Sequence, residues 1–192
     1  MRLFVAVDIG EALTAEAAAL IHELQKRAAE MAPRAKVTWL TPGRLHLTIR
    51  FIGEVDEARS TAVHAALGPP LGMEPFDLTL AGTGAFPKRG PPRVLWAGVE
   101  RGRNELIAAE REISARLATP GGRPEERPHS PHVTLARVRD AGGLRSASLL
   151  KGFEDRRLGT IHVDAITLFH SRLSPQGPTY APLLRTLLRR PT

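Results

Sequence analysis

The chain of 192 residues contains no cysteine. That excludes disulfides, thiolate metal sites and a cysteine nucleophile, and it agrees with a reducing cytoplasm. Long apolar runs are also missing. No stretch approaches the ~20 residues that cross a bilayer, so no membrane association is expected. The apolar start, residues 3–7, reaches Asp8 too soon for a signal-peptide core and has no small-residue cleavage site. A glycine-rich phosphate loop is absent as well. The stretch GTGAFPKRG at 82–90 lacks a GK[ST] ending and does not open a helix. Acidic residues are outnumbered, 20 against 27 Lys and Arg, leaving a net charge of +7. This balance favours polyanionic partners, and arginine, the commoner cation, suits forked contacts to phosphate. A high-GC genome would enrich arginine too, so charge by itself admits nucleic acid without requiring it.

What is present describes a soluble globular protein, with 42% hydrophobic and 24% charged residues. The length fits one domain or two small lobes with a shared core, with enough apolar side chain to need no metal staple. Alternation and β-branching predict strands at 3–8, 36–40, 45–52, 76–80, 94–99, 132–138, 161–169 and near 180–184. Helical spacing predicts helices at 11–30, 56–67 and 104–117, and a short one at 144–150. Gly53 should close its strand, and 82–92 and 119–131 read as loops. Strands follow one another after short turns without strict β-helix-β alternation. The fold class is therefore α+β with mostly antiparallel sheet.

The informative feature is a repeat. Leu45-His46-Leu47-Thr48-Ile49 returns as Pro131-His132-Val133-Thr134-Leu135. Requiring His-x-Thr with aliphatic neighbours leaves a chance expectation of roughly 0.03 per chain, so two copies are improbable. Side chains alternate between faces of a strand. Leu47, Ile49 and Phe51 should face the core, with His46, Thr48 and Arg50 opposite. Val133 and Leu135 should likewise point inward, and His132 and Thr134 outward. Each strand then offers an imidazole and a hydroxyl about 7 Å apart along one face. Two such strands across a cleft suit in-line cleavage of a phosphodiester. Hydroxyls donate to phosphate oxygens, one neutral imidazole takes a proton and one imidazolium gives one. Two other readings stand beside this: half-exposed strands with polar faces, and a zinc site completed by Asp8 or Asp164, which no ligand spacing supports.

Two His-x-Thr-x motifs, at 46–49 and 132–135, resemble the two-histidine phosphoesterases. More closely, the chain is similar to the bacterial and archaeal RNA 2',3'-cyclic phosphodiesterases, also called the 2'-5' RNA ligase family. The stretches that carry the resemblance are RLFVAVD at 2–8, LHLTIRFIGEVDE at 45–57, GAFP at 84–87, RVLWAGVE at 93–100, RPHSPHVTLAR at 127–137 and ITLFHSRLSPQGPTY at 166–180. The resemblance implies a single domain over 1–192 with two pseudo-symmetric lobes around a cleft, one motif per lobe and helices outside. It implies hydrolysis of RNA 2',3'-cyclic phosphate ends to 2'-phosphomonoesters, and joining of RNA ends through 2'-5' linkages. It makes His46 the general acid toward the 3'-oxygen and His132 the base on water. Thr48 and Thr134 would hold the non-bridging oxygens, with Arg137 on the phosphate. Arg50, Arg127, His129 and Phe4 are further candidates for substrate contact. His129 and Ser130 stand where the family has Phe and, often, a basic residue. No cofactor or metal is expected. The partners are RNA with a cyclic phosphate end or a small cyclic nucleotide, and a cytoplasmic monomer is expected. His22, His64, His162 and His170 read as surface or structural residues, and Trp39 and Trp96 as core. The competing function class is a nucleotide- or RNA-binding module of the same fold without useful turnover.

Overall fold

The computed structural model describes residues 1–118, 129–175 and 177–189. Among them are nine strands and four helices. The strands are β1 (Arg2–Val7), β2 (Lys36–Trp39), β3 (Leu47–Glu54), β4 (Phe76–Phe86), β5 (Val94–Arg101), β6 (Val133–Asp140), β7 (Arg157–Val163), β8 (Ala165–Arg172) and β9 (Thr179–Leu187). The helices are α1 (Gly10–Met31), α2 (Glu57–Leu67), α3 (Arg103–Leu117) and α4 (Ser146–Leu149). The strands form one sheet in the order β7-β4-β5-β6-β3-β1-β8-β9, with β2 on β6. All paired strands are antiparallel, as the α+β reading expects.

The sheet has two halves, β7-β4-β5-β6 and β3-β1-β8-β9, and each draws strands from both halves of the chain. They meet at the β3–β6 seam, where Leu47 pairs with Val133. The helices pack across this division. Helix α1 follows β1 but lies against β7, and α3 follows β5 but lies against β3. The buried stripe Leu13, Ala17, Leu20, Ile21, Leu24 and Ala28 recurs at helical spacing and turns α1 toward the sheet. Helix α2 starts where the Asp56 carboxylate accepts from the Arg59 backbone N–H at 2.8 Å, satisfying an otherwise unpaired helix-start amide.

Three expectations need correction. Residues 82–86 are not loop, because β4 runs on to Phe86. Gly82 interrupts the ladder with a positive φ, and β4 then resumes beside β5. Gly84 is there for closeness rather than flexibility. A Cβ on it would come within 2.1 Å of the Trp96 ring. Gly53 does not end β3, which continues to Glu54 with Gly53 opposite Leu3. The strand expected at 161–169 is two strands, β7 and β8, broken at Asp164. The outer strand begins Arg157-Leu158-Gly159-Thr160, too polar and glycine-interrupted to stand out. Most of the loop expected at 119–131 lies outside the described residues.

Candidate active site

The two motifs sit at the first residues of β3 and β6, on either side of the seam. Leu47 and Val133 are fully buried and paired, so the histidines beside them project to the opposite face. Carried one residue each way, this register sets His46 across from Thr134 and Thr48 across from His132. All four are half-buried.

The two imidazoles are fixed in the same manner. His46 Nδ1 lies 2.8 Å from Arg44 O, and His132 Nδ1 lies 2.7 Å from Ser130 O. A carbonyl can only accept, so each Nδ1 carries the hydrogen and donates. Each Nε2 is left as the working nitrogen, bare in the neutral ring and protonated in the imidazolium. Burial pushes both pKa values below the ordinary histidine range. The Arg44 and Ser130 carbonyls oppose that, and the Arg137 guanidinium adds to it at both rings. One difference separates them. Asp8 favours the charged form of His46, and among the described residues no carboxylate acts on His132 in this way.

A β-bulge after each motif decides what joins the site. Thr48 pairs with Ala6 and Arg50 with Val5, so Ile49 is an extra residue in β3. Thr134 pairs with Trp96 and Ala136 with Leu95, so Leu135 is the corresponding extra residue in β6. Each bulge moves the alternation by one. Phe51, expected in the core, is therefore 61% exposed and comes within 6.2 Å of the Phe4 ring. Arg50, expected beside Thr48, turns toward the helices and pairs with Glu110 of α3 at 3.1 Å. Arg137 occupies the place in the second motif that Phe51 holds in the first. It is exposed and acts electrostatically on His46, His132 and Tyr180, which places it on their common face. Of the other candidates, Phe4 is buried beside His46, with ring centres 4.9 Å apart. His129 is half-buried. Arg127 lies outside the described residues.

Aromatic residues that the two motifs do not mark complete the surroundings. Tyr180 meets the His46 ring edge-on at 4.9 Å and Phe4 at 5.0 Å, and Phe169 stacks on Phe4 at 5.3 Å. Burial raises the Tyr180 hydroxyl above its ordinary pKa, so it remains a donor. Around His132 stand Phe86, edge-on at 5.2 Å, and Trp96 at 6.4 Å. Trp96 is thus a half-buried wall of the site rather than core. A cavity of about 340 Å³ opens beside His46, lined by Phe4, Phe169, Tyr180, Leu45 and Asp8 among others. A second, of about 250 Å³, opens beside His132. Among the described residues, no three His, Asp or Glu side chains cluster as a metal would need.

Comparison with known proteins places these features in a family. The model of the LigT like phosphoesterases matches residues 12–96 and 98–180. An RNA 2',3'-cyclic phosphodiesterase of Aeropyrum pernix is 40% identical over 139 residues, 72% of this chain and 78% of that protein. One from Methanothermobacter thermautotrophicus is 31% identical over 94% of this chain and 95% of its own length. Among solved structures, a Thermus thermophilus protein superposes with a TM-score of 0.72 at 28% identity, covering 98% of both chains. Escherichia coli LigT complexed with 3'-AMP gives 0.70 at 26% identity over 97% of both.

Proposed function

The chain belongs to the LigT-like phosphoesterase family, and from that premise we propose that it hydrolyses RNA 2',3'-cyclic phosphate ends to 2'-phosphomonoesters. The observation that carries the reading is the seam itself. Two imidazoles with the same tautomer stand one on each side of it, each with a threonine hydroxyl from its own strand, and one guanidinium acts on both.

The resemblance assigns the roles, with His46 as the acid; burial lowers the pKa of both rings, and the Asp8 carboxylate works against that at His46 by favouring its charged form. Its Nε2–H passes to the departing 3'-oxygen, a poor leaving group without it. His132 starts neutral, and its Nε2 takes a proton from water as water attacks phosphorus in line. Thr48 and Thr134 donate to the non-bridging oxygens, and Arg137 balances their growing charge. The nucleoside bearing the cyclic phosphate lies on the His46 side, its base against Phe4, Phe169 and Tyr180. The binding of 3'-AMP by Escherichia coli LigT agrees with a nucleotide in this cleft. The two halves of the sheet serve as the two pseudo-symmetric lobes of one domain, 1–192. No described helix is long and apolar enough to cross a membrane. A monomer working in the cytoplasm completes the reading.

The test is incubation of an RNA oligomer ending in 2',3'-cyclic phosphate, with chelator present and the product isomer identified. A 2'-phosphomonoester formed in chelator is the expected result. Loss of activity in EDTA restored by a divalent ion would overturn the metal-free pair. Tight binding without product would leave a nucleotide-binding module.

A further inference from the structure

The register of β3, β1 and β8 sets three aromatic rings in one row. Phe4 of β1 pairs with Phe51 of β3 on one side and with Phe169 of β8 on the other. Residues directly opposite one another share a face of the sheet. Phe4 also meets the His46 ring, so the row lies on the histidine face. Exposure is uneven along it. Phe4 is 3% exposed and Phe169 half-buried, whereas Phe51 is 61% exposed. Among the described residues no other phenylalanine, tyrosine or tryptophan is exposed. The bulge at Ile49 keeps Phe51 out of the core and on this face. Four regular strand steps then carry it roughly 13 Å beyond His46.

The adjoining row carries positive charge. Arg2, two residues before Phe4, lies between Glu54 and Ser171, and Ser171 pairs in turn with Tyr180. The guanidiniums of Arg2, Arg44 and Arg137 all act on the Tyr180 hydroxyl, so three separate elements direct positive charge to this part of the face.

A cyclic phosphate held between the histidines turns the 2',3' edge of its ribose toward them, and the 5'-oxygen points away. In an RNA end that oxygen carries the phosphodiester to the preceding nucleotide, which a cyclic mononucleotide lacks. On the reading proposed above, on which this inference rests, the last base lies against Phe4, Phe169 and Tyr180. We infer that Phe51 is the stacking platform for the base of the next-to-last nucleotide, and that Arg2 meets the phosphate joining the last two. The Phe51 ring, 6.2 Å from that of Phe4, places this subsite directly beside the first. Stacking accepts any base and a guanidinium accepts any phosphate. The subsite thus favours an RNA end over a free cyclic nucleotide without reading its sequence.

The experiment compares three substrates on the whole chain. They are a nucleoside 2',3'-cyclic phosphate, the dinucleotide that adds one nucleotide at its 5' side, and the same dinucleotide with no base on the added nucleotide. The full dinucleotide should have the highest kcat/KM. Phe51→Ala should lower that value roughly tenfold or more, as loss of one stacked base does, and leave the mononucleotide unchanged. Phe51→Trp should retain the preference. The abasic dinucleotide should be poor with the unaltered protein and lose nothing further in Phe51→Ala, a coupling that a merely structural side chain would not show. Arg2→Ala should weaken both dinucleotides and spare the mononucleotide. Equal kcat/KM for the full and abasic dinucleotides would overturn the inference, as would an equal fall for all three substrates in Phe51→Ala. If the unaltered protein hydrolysed none of them, the proposed hydrolysis would fall instead. Titration with the 2'-phosphorylated dinucleotide and its abasic counterpart would then decide the subsite, equal affinities overturning it.

Discussion

At the scale of single residues, each side chain of the site has a separable effect. Thr48→Ala and Thr134→Ala each remove one donor to a non-bridging oxygen. Each should lower kcat ~10–1000-fold with folding intact. Steady-state kinetics beside a thermal melt checks this, and unchanged kinetics would show that the hydroxyl does not meet the phosphate. Both histidines are pushed down by burial and by Arg137, so the kcat/KM bell for the free enzyme should lie on the acid side of the ordinary histidine value. Its alkaline limb belongs to His46, which must be protonated. Asp8→Asn removes the carboxylate that favours that proton, so this limb should move to lower pH while the acid limb, set by His132, stays. A pH profile in which both limbs move together would contradict the assignment. The histidines and threonines were legible from sequence because their chemistry and spacing repeat. Tyr180, Phe169 and Trp96 were not, because β9, β8 and β5 bring them to the motifs and nothing adjacent in sequence marks them.

At the scale of elements, the two β-bulges explain where the simple alternation failed. A period of two places Phe51 inside and Arg50 beside Thr48, and the extra residue at Ile49 exchanges them. The same device at Leu135 brings Arg137 onto the histidine face. A bulge depends on how the partner strand meets the ladder, so it leaves little trace in the strand's own sequence. Two arginines in nearly equivalent places should therefore behave oppositely. Arg50→Ala breaks a half-buried pair with Glu110 and should cost about 1–3 kcal/mol of stability, with kcat/KM changed little. Arg137→Ala should leave the melting temperature nearly unchanged and lower kcat/KM strongly. Kinetics and melts on both variants check this, and a large kinetic defect in Arg50→Ala would put that side chain back in the cleft. Glycine misled the reading in a related way. The run at 82–86 contains strand because Gly84 gives its space to the Trp96 ring.

At the scale of the whole molecule, the fold brings together two groups 86 positions apart, His46 and His132, at one seam of one sheet. The fold class was readable from the order of elements. The sheet order, in which β8 and β9 join β1 and β3 while β2 and β4 join the half that holds β6 and β7, was not, since no local pattern encodes it. With a net charge of +7, RNA affinity should fall as salt rises, because arginines displace counterions from the backbone. A flat salt dependence in a titration would indicate recognition of the terminal nucleotide alone. Both imidazoles favour the neutral form when folded. The unfolded chain thus binds more protons between their depressed values and the ordinary one. Their contribution to stability should rise with pH across that window and be lost as pH falls through it. The central claim is that the two halves divide one proton transfer in and one out. His46→Ala and His132→Ala should each abolish turnover of the natural cyclic phosphate. A cyclic substrate with sulfur in place of the 3'-oxygen needs no proton on its leaving group. Its hydrolysis should be partly restored in His46→Ala and not in His132→Ala, whereas restoration in His132→Ala, or in neither, would contradict the account.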